Sequence, residues 1–144
     1  MMKAKAVLFL DFDGVLHPNG CDPADCFCLL PALVETIRPF ELDIVISSSW
    51  RFHHSLRYLR KLFPATVRDR IVGTTGEPFP GPNARWEEIQ AYLLERPAAN
   101  WRALDDFDWE FPPDCTHLIH CDGARGCQGP ELSHLGSWLG QGAA

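Results

Sequence analysis

The chain has 144 residues, 46% of them hydrophobic and 22% charged, and a formal net charge of -6. That length suits a single domain, residues 1–144, with a real core. The acidic balance argues against a broad nucleic-acid footprint, which needs a clustered basic face, but leaves room for a nucleic-acid end in a local basic pocket. No apolar stretch is long enough to span a bilayer. The run near the start is cut by Asp11 and Asp13, so it makes no signal-peptide core, and a cytoplasmic protein without membrane contact is expected.

In chain order, Ala6 to Leu10 reads as a buried strand that ends in acid at Asp11. His17 to Cys28 is rich in turn formers and reads as a loop. Pro31 opens a helix carrying Leu33, Val34 and Ile37, and Pro39 stops it. Leu42 to Ser47 is a second buried strand. His53 to Phe63 spaces Leu56, Leu59, Leu62 and Phe63 as one helical face. Arg70 to Val72 is a short third strand, followed by a long Gly/Pro loop from Gly73 to Pro82. Arg85 to Glu95 is a helix with Trp86, Ile89 and Leu93 inward. Trp101 to Leu104 and His117 to Cys121 are strands four and five. A last amphipathic helix starts at Gly129 and aligns Leu132, Leu135, Trp138 and Leu139, and the tail from Gly140 to Ala144 is expected to fray. Strands alternating with helices predict an α/β fold with a parallel five-stranded sheet and helices on both faces.

Ligands in such sheets bind beyond the carboxyl ends of the strands. Asp11 and Asp13, the serines after strand two, and Asp105-Asp106 all fall at those ends. So many carboxylates in one small space repel each other unless a cation sits among them, and oxygen-only ligands suit Mg²⁺. A carboxylate on a rigid strand tip, Asp11, can attack phosphorus and form an acyl phosphate. Asp13 can protonate the leaving oxygen and then activate water, and Gly14 lets the chain turn away from the substrate. Counting along the apolar run makes Ser48 the best-placed phosphate-binding hydroxyl and Ser49 the second, with a helix cap as the compatible alternative. Arg85, at a helix start, can neutralise a transferring phosphoryl group and restrain the aspartates. One of Asp105 and Asp106 would ligate the metal directly. The other would act through water or hold the cationic side chain.

These residues resemble the haloacid dehalogenase (HAD) superfamily over roughly residues 5 to 139: Asp11-Phe12-Asp13-Gly14 after the first strand, Ser48 or Ser49 after the second, Arg85 at a helix start, and Asp105-Asp106 after the fourth. Arg85 stands where that family commonly has Lys. The resemblance implies a three-layer Rossmann-like fold with minimal cap and a Mg²⁺-dependent phosphatase with a phosphoaspartyl intermediate on Asp11. It also implies acid/base work by Asp13 and a metal site made by Asp11, the Asp13 backbone carbonyl, Asp105 and Asp106. Asp13 favours phosphatase over dehalogenase chemistry. The Ser-Ser-Trp-Arg, Arg-Trp-x-x-Ile and Trp-x-x-Leu-Asp-Asp segments are most similar to small HAD domains found with RNA-repair proteins. The expected substrate is therefore a phosphorylated one, a nucleic-acid or nucleotide terminal phosphate. The alternatives are a small-metabolite phosphatase and a catalytically silent HAD-fold binding or regulatory domain.

Six cysteines contain no CxxC pair, so neither a zinc ribbon nor a thioredoxin motif is supported and free thiols are expected. The lesser alternative is a zinc site joining Cys21, Cys26 or Cys28 to a nearby His. Arg51, Arg57, Arg60, Lys61, Arg68 and Arg70 form a basic cluster, read either as a solvated helix face or as a local phosphate-backbone track. His17, His53 and His54 lie near the expected site mouth and are read as packing or surface residues, with contact to substrate as the alternative. The five tryptophans read as packing residues, with base stacking by Trp50 or Trp109 as the alternative.

Overall fold

The computed structural model describes residues 5–141. Five apolar runs form strands: β1 (Ala6–Leu10), β2 (Leu42–Ile46), β3 (Ile71–Thr74), β4 (Trp101–Asp105) and β5 (Leu118–His120). They make one parallel sheet in the order β3-β2-β1-β4-β5, so β1 is central. The helices are α1 (Leu30–Ile37), α2 (Leu56–Lys61), α3 (Ala65–Arg68), α4 (Ala84–Glu95) and α5 (Gly129–Gln141). None among the described residues is long and apolar enough to cross a membrane.

Side chains of a strand alternate between the two faces, and this alternation sorts the core. Leu8, Leu10, Ile44, Ile46 and Leu104 join Leu33, Val34 and Ile37 of α1, Leu59 and Val67 of α2 and α3, and Leu135, Trp138 and Leu139 of α5. Phe9, Val45, Trp101 and Ala103 face the other way, against Ile89 of α4, with Trp86, Tyr92 and Leu93 packed alongside. Phe9 meets Tyr92 and Trp101 edge-on, each with ring centroids 5.6 Å apart. Each fully buried Leu, Ile or Phe side chain contributes about 1.5–3 kcal/mol relative to exposure. The result is the expected three-layer α/β arrangement.

Two stretches differ from the sequence reading. The helix expected over His53–Phe63 is shorter, α2 alone, with a 3₁₀ turn (Ser49–Phe52) before it and α3 after it. Ser55 resets the start: its Oγ accepts the Tyr58 N–H at 3.1 Å, a side-chain cap. Gly73 and Thr74, read as loop, extend β3 and pair with Val45 and Ile46. The last helix reaches Gln141, while 142–144, the rest of the segment expected to fray, lie outside the described residues. Between β1 and α1 the chain forms only one short 3₁₀ turn, Pro23–Asp25, and residues 75–83 contain neither helix nor strand. Neither segment folds into a cap domain of its own.

Candidate active site

The register decides which residues share the site. Leu10 lies level with Ile46 of β2 and Leu104 of β4. The next residues along are Asp11, Ser47 and Asp105, and alternation sends all of them toward α4, the face of Phe9, Val45 and Ala103. Ser47, not Ser48, is therefore level with Asp11, one residue earlier than counting along the sequence suggested. The backbone agrees, since Ser47 N donates to Leu10 O at 2.8 Å. Ser47 Oγ is buried and has no protein partner, and neither has Thr75 Oγ1 at the end of β3.

Arg85, the second residue of α4, reaches this cluster from the side. Its guanidinium lies 3.3 Å from Asp11 Oδ1, 3.3 Å from Asp105 Oδ2 and 3.5 Å from Glu110 Oε2, and it donates to the Ser47 carbonyl. Burial by itself would lower the Arg85 pKa, but Asp105, Asp11 and Glu110 around it more than reverse that and hold its proton. Asp11 Oδ1 also accepts the Phe12 N–H at 2.8 Å, and Asp105 Oδ1 accepts the Phe107 N–H at 3.0 Å.

The carboxylates of Asp11, Asp105 and Asp106 are all buried and come within 4.8 Å of one another. Asp106 has one oxygen bound by Asn19 Nδ2 at 2.9 Å, while its buried Oδ1 has no partner. Burial, then the neighbouring Asp105 charge, pushes the Asp11 carboxyl well above the usual carboxylate range, with Arg85 opposing. Burial, opposed by Arg85, pushes Asp105 up to about 6. Gly14, at φ +77°, lies against this group: a Cβ there would collide with the Asp106 carboxylate, as would one on Gly123. The glycine of the first motif thus makes room for an acid of the last.

Asp13 does not join the carboxylate trio. Its side chain is half exposed, and its carboxylate is held by His17 Nε2 at 2.7 Å and by Trp50 Nε1 at 3.1 Å and 3.3 Å. Ser48 is fully buried and its Oγ caps the 3₁₀ turn by accepting the Trp50 N–H at 3.2 Å, whereas Ser49 is exposed. Of the serines named from the sequence, neither is level with Asp11.

A family model for the HAD domain in Swiss Army Knife RNA repair proteins matches residues 7–132. The chain belongs to that family. No curated protein and no solved structure matched it.

Several residues of this HAD domain that sequence reasoning passed over now have places. Asn19 orients Asp106 across 87 residues of chain, a pairing with no local signal. His17, read as a packing residue, is buried but binds Asp13, and Trp50, read as packing or base stacking, does the same with its indole N–H. Arg51 is a strut: it donates to Glu88 Oε1 at 2.8 Å, to the Ser48 carbonyl at 2.9 Å and to the Gly76 carbonyl at 3.0 Å. The basic cluster is largely committed internally, because Arg60, Arg68 and Arg70 all donate to backbone carbonyls. Of its six residues, Arg57 and Lys61 are the exposed ones. His54 stacks on Tyr58 with centroids 4.5 Å apart. Trp109 is 65% exposed and leans on Phe107, whose ring faces Arg85 at 6.0 Å.

Proposed function

We propose that this HAD domain is a Mg²⁺-dependent phosphomonoesterase working through a phosphoaspartyl intermediate on Asp11. One observation carries the reading: three buried carboxylates lie within 4.8 Å of one another, two of them against a single guanidinium, and one carboxylate oxygen is left unpartnered. Two negative charges uncompensated in a buried site call for a dication, and all-oxygen donors suit Mg²⁺. Asp11, Asp105 and Asp106 would hold it, with the Asp13 backbone carbonyl as a further ligand. When bound there, the cation screens the attacking carboxylate from the phosphate and orients both.

The chain's own residues supply the rest. Asp11 Oδ1 is anchored by the Phe12 N–H and Arg85, which leaves Oδ2 as the nucleophile. Attack on phosphorus forms the Asp11–phosphoryl bond and breaks the ester bond, and Asp13 gives its proton to the leaving oxygen. Asp13 then takes a proton from water as that water attacks the acyl phosphate, which returns Asp11 as a carboxylate and releases phosphate. Arg85 fixes Asp11 and Asp105 and offers positive charge to the phosphoryl oxygens. Ser47 and Ser48 are the hydroxyls at hand, and Ser47 has the free one.

The substrate we propose is a terminal phosphate on a nucleic acid or nucleotide. The name of the family and the exposed Trp109 at the Arg85 end support it, since an aromatic face stacks on any base. The test is hydrolysis of p-nitrophenyl phosphate with and without Mg²⁺, by the wild type and Asp11→Asn. Metal-dependent turnover that Asp11→Asn abolishes is expected. Turnover that survives the substitution would remove Asp11 as nucleophile.

A further inference from the structure

A second cluster of ligand-type side chains lies outside the carboxylate site, in the loop between β1 and α1. His17, Cys21 and Cys26 each offer one donor atom, and the three atoms lie within 4.8 Å of one another. We propose that these three residues bind Zn²⁺, with the fourth position open to water. This rests on none of the phosphatase reading, because its donors are nitrogen and sulfur rather than carboxylate oxygen.

The sulfur spacing carries the argument. Tetrahedral zinc with Zn–S bonds of about 2.3 Å sets two thiolates roughly 3.8 Å apart. Cys21 Sγ and Cys26 Sγ are 3.9 Å apart. A disulfide needs sulfurs at about 2.05 Å, so these are two free thiols in contact, at a separation that a shared cation fits without moving them far.

The imidazole is already in the tautomer the site requires. Phe27 N–H donates to His17 Nδ1 at 3.1 Å, so Nδ1 carries the lone pair and Nε2–H is the donor to Asp13. Zinc would take the lone pair that the Phe27 amide now uses. Phe27 sits at φ +64°, a left-handed conformation that bulky residues rarely adopt, between Cys26 and Cys28. Loop strain of this kind persists only where its surroundings fix it. Binding replaces the thiol protons, which leave to solvent, and uptake therefore strengthens with pH.

The consequence reaches Asp13. With zinc on Nδ1 and Nε2–H on the Asp13 carboxylate, His17 would complete a carboxylate–histidine–zinc arrangement of the kind that orients ligands in metal sites. The loop would then be clamped against the acid/base residue of the proposed reaction.

The experiment uses the full chain, reduced and freed of metal, titrated with Co²⁺ and then Zn²⁺. One equivalent of Co²⁺ should give a near-ultraviolet thiolate-to-cobalt charge-transfer band that Zn²⁺ displaces. The band should vanish in Cys26→Ser and persist in Cys115→Ser and in Asp106→Asn. No band in the wild type, or a band that survives the Cys21→Ser, Cys26→Ser pair, overturns the proposal. Zinc-edge X-ray absorption on the wild type needs no variant. It should show sulfur at about 2.3 Å and nitrogen at about 2.0–2.1 Å, and a shell of oxygen alone overturns the proposal.

Discussion

On the α1 side of the sheet, Leu8, Leu10, Ile44 and Ile46 sink into a large apolar cluster shared with α1, α2, α3 and α5. On the α4 side the same strands offer Phe9 and Val45, then Asp11, Ser47 and Asp105, and a much smaller apolar cluster. Buried polar side chains crowd this second face: Arg85 and Glu88 come from α4 itself. The Arg51–Glu88 pair is nearly shut off from solvent, at 5% and 8% side-chain exposure. One face therefore carries most of the fold's stability, and the other spends part of it holding like charges together. Conflict between local rules and burial at such a place is the signature of a functional site.

The contrast can be broken most sharply at Asp11. Asp11→Asn should abolish turnover yet raise the melting temperature of the metal-free protein, because the amide removes a buried carboxylate whose ionisation its surroundings resist. A melting temperature lowered as far as in a core truncation would make Asp11 a structural residue. The converse change is Leu8→Ala on the other face. It should cost about 2–5 kcal/mol in urea unfolding and leave kcat of the folded fraction unchanged. A large loss of kcat with little loss of stability would mean that the two faces are not separable.

A pH series sharpens the comparison further. Asp105 has its pKa pushed up to about 6 in the folded chain, against about 3.9 unfolded. Its contribution to metal-free stability is thus fully present below about pH 3.9 and fades as pH rises through about 6. Mg²⁺ needs the ionised carboxylate, so the gain in melting temperature on adding Mg²⁺ should be larger at pH 8 than at pH 5. Equal gains would contradict a site built on Asp105. The smallest effect is at the rim. Trp109→Ala should weaken action on a phosphorylated oligonucleotide by about 1–3 kcal/mol, the worth of one stacked base, and leave p-nitrophenyl phosphate hydrolysis unchanged.

The strand tips were legible in the sequence because the signal is local: an apolar run cut short by acid at Asp11 and at Asp105 can be read without knowing its neighbours. The order of layers followed from the alternation of strand and helix. What sequence could not give was register. Ser47 was passed over for Ser48 because only the pairing of Leu10 with Ile46 shows which serine is level with Asp11. Asn19 and Trp50 were missed for the same reason: each meets its aspartate through the fold, not through spacing. The break before α2 was readable in principle, since Ser55 is a good cap, but the continuous Leu spacing hid it. The arginine cluster misled because a basic side chain can spend its donors on carbonyls that only the fold brings near: Arg60 reaches Ile71 of β3, and Arg70 reaches Ile37 and Arg38 at the end of α1.

The most direct measurement is to mix the protein with Mg²⁺ and a phosphomonoester, quench in acid within a turnover and map the phosphoryl group by peptide mass spectrometry. The account predicts a hydroxylamine-labile phosphoryl group on the peptide containing Asp11, absent when Mg²⁺ is chelated. Hydrolysis that proceeds with no phosphoryl group on Asp11, or with one on Ser47 or Ser48 instead, would contradict it.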